Sequence, residues 1–281
     1  MLLRFKSFIL LGFLIFTGLS TVSAQGTSGK DAKKEKQNVK QQTAETGKNA
    51  GKGAIKNATA EQVAESAILI YGNLGGRANL NQIRKTTVER GKISTIGADG
   101  KTEQSNYERL ILRADTLEKD RIRLNQESPN ARYALIYGNS KIFGLYNDTV
   151  FTPREDASKA FENQIWHGLE ALLRYKENES KLALAANEKI GNIDLYVLDV
   201  TDKRNRQTRF FISTKSLRVM MLEYTEDNTK YRRRFYDYNI AQGTLVPYRT
   251  VLWANDKQIE ESEIQTVSFG QRLEEDIFQV S

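Results

Sequence analysis

The chain has no cysteine at any of its 281 positions and a single histidine, His167. The first absence excludes disulfides, thiolate nucleophiles and cysteine-ligated metals, so the fold has to be held by its sheet and core alone. The second excludes histidine clusters. Any Ser-His-Asp triad would have to run through His167, which follows Trp166 in a helical stretch and reads as a packed or surface residue. No glycine-rich motif for cradling phosphate is present. Neighbouring carboxylates such as Glu260 and Glu261 fall on opposite faces of a strand and cannot act as one acid/base pair. No catalytic residue, metal or cofactor is expected, and an exported hydrolase using carboxylates is the weakest of the readings kept open.

A hydrophobic run long enough to span a bilayer is also missing. Arg4 and Lys6 precede an apolar stretch from Phe8 to Leu19 and the small residues Val22, Ser23 and Ala24, the pattern of a secretory signal. The run is well short of the roughly 20 residues that a spanning helix needs. Residues 1–24 are therefore expected to be a signal peptide, with an uncleaved N-terminal anchor as the alternative. With no cysteine at the cleavage site, the mature chain is expected to carry no acyl anchor of its own, and to be periplasmic and soluble.

Excess positive charge is absent where nucleic-acid binding would need it. The whole chain has 42 basic and 35 acidic residues. Eight lysines against three acids lie in residues 25–60, and residues 61–281 hold 32 of each sign. A nucleic-acid surface would need a basic stripe on the folded part. Residues 25–58 have almost nothing to bury and read as a disordered basic linker, either a plain spacer or a polycation that touches anionic surfaces.

What the chain does have is period-two alternation. Ile193–Val200, Gln207–Ser213, Leu217–Thr225, Tyr231–Tyr238, Leu245–Ala254 and Gln258–Phe269 are apolar-alternating runs joined by turn residues. Ile83–Ile96, Asn106–Arg113, Arg121–Gln126, Arg132–Tyr137 and Lys141–Tyr146 repeat the pattern upstream. Even spacing without intervening helices argues for one curved antiparallel sheet or barrel and against βαβ units.

Two helices interrupt it. Thr59 and Gln62 have capping-box spacing ahead of Val63, Ala67, Ile70 and Leu74, and Gly75-Gly76 supplies a stop. Thr152, Pro153 and Glu155 signal the start of a second helix whose apolar stripe is Phe161, Ile165, Leu169, Leu172 and Leu173. The expectation is an α+β domain over residues 59–281, with about eleven strands and helices covering one face.

Three stretches carry a resemblance. Tyr137 to Tyr146 is a strand, a glycine-containing turn and an aromatic-bearing strand. Gly243 to Pro247 is a hairpin with proline in its outgoing strand. Ile264 to Val267, followed by Leu273 to Phe278, is a closing strand with an acidic-hydrophobic tail. In this order they resemble the bacterial periplasmic lipoprotein carriers and their outer-membrane receptor relatives, which share the lipoprotein-localisation fold. The resemblance implies an open, unclosed antiparallel barrel with helices over an apolar concave face, and lipoprotein or lipid acyl chains as cargo. The carriers have a basic residue followed by proline near the end of an early strand, and that residue helps hold the helical lid shut. Arg113 occupies the matching place, without the proline, and is the lid-closing candidate. The basic linker is an addition to the family pattern.

Same-face apolar pairs are candidates for contact with an acyl chain: Leu110 and Leu112, Leu135 with Tyr137, Phe143 and Leu145, Phe210 and Ile212, Val219 and Met221, and Val251 and Trp253. Phe161, Ile165 and Leu169 on the second helix join them. The same residues can equally be core packed under the helices. Alternation splits the run Arg232-Arg233-Arg234, turning Arg233 inward, where a charge needs a partner. The functions in view are a carrier of acyl chains, with membrane association peripheral rather than integral, and a protein-binding or envelope-sensing scaffold of the same fold with no lipid cargo. Envelope membrane proteins are candidate partners for either.

Overall fold

The computed structural model describes residues 58–279 other than 98, 130 and 148. The expected signal peptide and nearly all of the basic linker lie outside the described residues. Helices α1 (Ala60–Tyr71) and α2 (Gly76–Ile83) come first, followed by strands β1 (Thr86–Ile96), β2 (Thr102–Leu112), β3 (Arg121–Ser128), β4 (Ala131–Gly138), β5 (Lys141–Tyr146) and β6 (Thr149–Phe151). Two more helices, α3 (Glu155–Trp166) and α4 (Leu169–Leu173), separate these from β7 (Lys181–Leu184), β8 (Glu188–Ile190), β9 (Ile193–Thr201) and β10 (Gln207–Ser213). The chain ends with β11 (Val219–Glu226), β12 (Thr229–Ala241), β13 (Thr244–Ala254) and β14 (Lys257–Phe269), and a short 3-10 turn, Glu275–Phe278.

All strands join one antiparallel sheet of 14 strands in the order β6-β5-β4-β3-β2-β1-β14-β13-β12-β11-β10-β9-β7, with β8 also on β9. The outermost strands do not pair with each other, so the sheet is unclosed. Two meanders, β1–β6 and β7–β14, are joined by one ladder in which Thr87 faces Phe269 and Thr95 faces Glu260. The register of that ladder shifts between Arg90 and Gly91, the kind of bulge that bends and twists a sheet. Gly91 is required there, because a Cβ would lie 2.0 Å from the carbonyl oxygen of Glu263.

The count of about eleven strands is corrected to 14. The added strands, β6, β7 and β8, have only three or four residues each and are too short to show alternation. The capping box at Thr59 and Gln62 is present, but α1 ends at Gly72, and Gly76 opens α2 rather than closing α1. Ile83 is consequently the last residue of α2. The second expected helix begins at Glu155 behind Arg154, with no side-chain cap from Thr152. It also breaks at His167 and Gly168, leaving α4 as a separate five-residue piece.

The helices cover one face of the sheet. Val63, Ala67, Ile68 and Tyr71 of α1 are fully buried and pack with Leu172 of α4 on Leu198, Phe210, Ile212 and Leu222. Each large side chain removed from water this way contributes about 1.5–3 kcal/mol. Phe161 and Ile165 of α3 pack on Ile93, Ile122, Leu124 and Leu135. On the opposite face, Leu273, Ile277 and Phe278 of the C-terminal segment cover Val88, Leu110 and Ile136.

An ion pair with side chains only 2% and 3% exposed joins Arg174, just after α4, to Asp120, just before β3, at 2.7 Å. The backbone of Ala114 satisfies both partners further, its N–H donating to Asp120 and its carbonyl accepting from Arg174. Burial pushes the Asp120 carboxyl up while Arg174 opposes the rise. Removing one member of a buried pair leaves an uncompensated charge. Arg174→Met is expected to cost about 3–5 kcal/mol in urea unfolding, with Arg174→Met/Asp120→Leu recovering much of the loss. A single variant that costs no more than the double would show that the pair does not hold α4.

Candidate ligand-binding cavity

Strand parity sets what lies under α3 and α4. In β2 the residues pointing toward the helices are Tyr107, Arg109 and Ile111, with Arg113 just beyond the strand continuing the alternation, and all four line a cavity of about 210 Å³. Ile93 of β1, Ile264 of β14, Phe161 and Ile165 of α3 and Leu169 of α4 supply much of its apolar wall. Its polar part consists of charged groups in pairs and clusters, as burial requires.

Glu89 accepts from the Tyr107 hydroxyl at 2.8 Å and from Arg109 at 3.3 Å, and Arg109 reaches Gln164 of α3 at 2.9 Å. Burial, reinforced by the charge on Glu89, pushes the Tyr107 phenol up. Glu170 of α4 lies between two guanidinium groups, accepting from Arg84 at 3.0 Å and from Arg113 at 2.5 Å. Burial works against the ionised form of Glu170, but Arg113 and Arg84 outweigh it and hold the carboxyl below its ordinary range. Burial pulls the Arg113 guanidinium down, Glu170 resists, and the nearby charges of Arg174 and Arg84 add to the lowering. Arg233 faces the cavity, as its parity predicts. Its side chain is 12% exposed and its nearest carboxylate, Glu260, is 3.9 Å away. Its Nε has no hydrogen-bond partner among the described residues.

No protein-family model matches the sequence, and no curated protein matches it. Solved structures match the fold. A LolA superfamily protein of Nitrosomonas europaea superposes with a TM-score of 0.57 at 16% identity, covering 79% of this chain and 98% of its own. The chain has the lipoprotein-localisation fold. A DUF1329 family protein from Desulfovibrio piger gives 0.55 at 10% identity over 79% of this chain and 98% of its own. A domain of Vibrio parahaemolyticus named for outer membrane lipoprotein sorting gives 0.51 at 12% identity over 69% and 88%.

Within this lipoprotein-localisation fold the residues singled out from sequence scatter. Phe161, Ile165, Leu169 and Arg113 line the cavity. Leu135 lies in the core beneath α3, and Phe210, Ile212 and Val219 in the core beneath α1. Leu110, Leu112 and Leu145 are on the other face, under the C-terminal segment, and Met221 lies in a separate cluster with Leu195, Val197 and Phe211. Val251 and Trp253 have the opposite parity to Tyr248 and Thr250, which line the cavity. The guanidinium of Arg234 lies 5.5 Å above the Trp253 ring. Phe143 is 36% exposed. The reason for the scatter is common to several positions: the sheet buries apolar side chains on both faces, and a one-residue change of parity moves a residue from one to the other. Glu89, Arg109 and Glu170 are not among the residues that the sequence pattern singles out, and Glu260 enters it only as a carboxylate unable to pair with Glu261. For Glu89, Arg109 and Glu260 the sequence signal is a charge on the inward face of a strand, the argument that turns Arg233 inward; Glu170 lies in a helix, where that signal does not apply. Among the described residues no group of three or more His, Cys, Asp or Glu could hold a metal ion.

His167 marks the break between α3 and α4. Its ring stacks on Tyr224 with centroids 4.1 Å apart, Nδ1 lies 2.6 Å from the Thr208 hydroxyl, and Nε2 has no hydrogen-bond partner among the described residues. Burial, then the positive charge of Arg206, lowers its pKa from an ordinary 6.5 to about 4. The folded protein therefore holds a neutral imidazole where the unfolded chain takes up a proton. Stability is complete above about pH 6.5 and falls as the pH drops toward about 4, by up to roughly 1.4 kcal/mol per pH unit from this group. Thermal unfolding of wild type and His167→Gln across that interval is expected to show a shallower acid loss in the variant; parallel curves would assign the loss to other groups.

Proposed function

We propose that the protein is a periplasmic carrier that shelters acyl chains of lipoproteins or lipids beneath α3 and α4, in the service of outer-membrane biogenesis. The observation that carries this reading is a partly apolar cavity roofed by α3 and the start of α4, where Phe161, Ile165 and Leu169 make apolar contacts that an acyl chain can replace. At about 210 Å³ the cavity is below the roughly 300–1,000 Å³ of typical ligand pockets, so cargo would have to lift the roof. The exchange is chemically even. Contacts of Phe161, Ile165 and Leu169 with the sheet give way to contacts of methylenes with the same sheet, each buried methylene contributing about 0.8 kcal/mol.

Arg113 supports the reading from the polar side. It ties the end of β2 to Glu170 of α4, consistent with the lid-closing role the family resemblance implies. The solved structures that share the fold include a LolA superfamily protein and a domain named for lipoprotein sorting, which favours a carrier over a scaffold without lipid. Export through residues 1–24 would place the chain in the periplasm. Among the described residues no helix is long and apolar enough to cross a membrane.

Native mass spectrometry of the full chain exported through its own leader, with organic extraction of the same sample, tests the proposal. Acyl-bearing species are expected to copurify with the wild type. They should be reduced at least tenfold in Leu169→Glu with thermal unfolding still cooperative. A single unliganded mass that also fails to take up an added diacylated lipopeptide would overturn the carrier and leave the protein-binding scaffold.

A further inference from the structure

We infer that Arg84 and Arg113 form a subsite for the anionic head group of an acyl ligand, a carboxylate or phosphate, and that Glu170 occupies this subsite from within the chain when the roof is closed. The inference rests on the carrier reading and adds to it the charge of the cargo.

The two guanidinium groups are each 10% exposed and take one oxygen apiece of the same carboxylate. Planar guanidinium forks match the oxygen spacing of carboxylates and phosphates, and such charge-assisted bonds are the strong ones. Arg84 is held in place without Glu170. Its Nε and Nη2 donate to the Thr244 hydroxyl at 3.0 and 2.7 Å, and Nη2 also to the Leu245 carbonyl at 2.9 Å. Thr244 in turn donates to the Tyr71 carbonyl at 3.0 Å, so this half of the subsite is anchored to α1 and β13, neither of which belongs to the roof.

Charge balance decides the class of ligand. Arg84, Arg113 and Arg174 face Asp120 and Glu170, an excess of one positive charge in a cluster whose cationic side chains are at most 10% exposed and whose Glu170 side chain is 26% exposed. When Glu170 is withdrawn, Arg84 and Arg113 lose the one carboxylate with which either forms an ion pair among the described residues, whereas Arg174 and Asp120 keep each other. Buried cations without counter-ions are costly. A neutral acyl ligand that raised α4 would incur that cost in full, whereas an anionic one replaces the departing carboxylate. Leu169 and Glu170 already present this combination to the cavity, an apolar side chain on the wall followed by a carboxylate between the arginines.

The test compares delipidated full-chain wild type and Glu170→Gln for binding of laurate, lauryl phosphate and neutral monolaurin, followed by calorimetry. Gln keeps the size and hydrogen-bonding oxygen of Glu while removing its charge. Wild type is expected to bind the anions more tightly than monolaurin. Glu170→Gln should widen that preference at least tenfold for one or both anions, and adding Arg113→Met should abolish the gain. The anion with the larger gain identifies the head group. Equal tightening for all three probes would show that Glu170→Gln only loosens the roof, and would overturn the subsite while leaving the carrier. If the Gln variant does not fold, wild type decides alone, and equal affinity for laurate, lauryl phosphate and monolaurin overturns the inference. Failure of wild type to bind any probe overturns both the subsite and the carrier.

Discussion

The ladder between β1 and β14 is the interaction on which the rest of the molecule depends. It pairs residues near 87 with residues near 269, joining two meanders that are otherwise separate in the chain. Glu89 and Ile93 come to the cavity from one side of this ladder, and Glu260 and Ile264 from the other. Without it there would be two half-sheets, and the cavity would lose the wall that one of them supplies. Contacts this distant in sequence close slowly, because the entropy of bringing the ends together precedes their reward. The local hairpins on each side are available earlier and present the two edges that have to meet.

Much of the sheet was legible in the sequence because period two leaves a strong trace wherever a strand is long. The six runs from Ile193 to Phe269 became β9 to β14 with their order intact. The capping box at Thr59 was equally legible, since it needs only two side chains at a fixed separation. What the pattern does not show is local structure too short to carry a clear period, such as β6 and α2, and the break at His167, where a continuous apolar stripe conceals the end of one helix and the start of another. The cavity was harder still. Leu110 and Ile111 are adjacent and both apolar, yet Ile111 lines the cavity and Leu110 packs beneath the C-terminal tail. Hydrophobicity cannot separate them. The charges could: Arg109 and Arg113 share the parity of Ile111, and two arginines alternating with an apolar residue mark a face that is neither plain core nor plain surface.

The neutrality of residues 61–281 conceals a local organisation. Opposite charges are gathered under the helices, where water is scarce and each pairing has consequence, as at Glu170 and at Arg174 with Asp120. The helical layer is thus held by two kinds of contact. Apolar burial under α1 is extensive and continuous with the main core, so α1 behaves as part of the sheet's support. The five-residue α4 is too short for its own backbone hydrogen bonds to sustain it, and its position is set by what its side chains reach.

The unclosed edge has a mechanical meaning. In a closed barrel, strand number and stagger fix the radius, and any widening strains or breaks a ladder. Here β6 ends the sheet on one side, and β7 and β8, each paired with β9, end it on the other without meeting β6. The distance between the two edges can therefore change through small adjustments of twist shared among many strands, with every backbone hydrogen bond kept. The space beneath the helices is thus not pinned by strand number and stagger, and bending of the sheet can change its volume without the loss of a ladder.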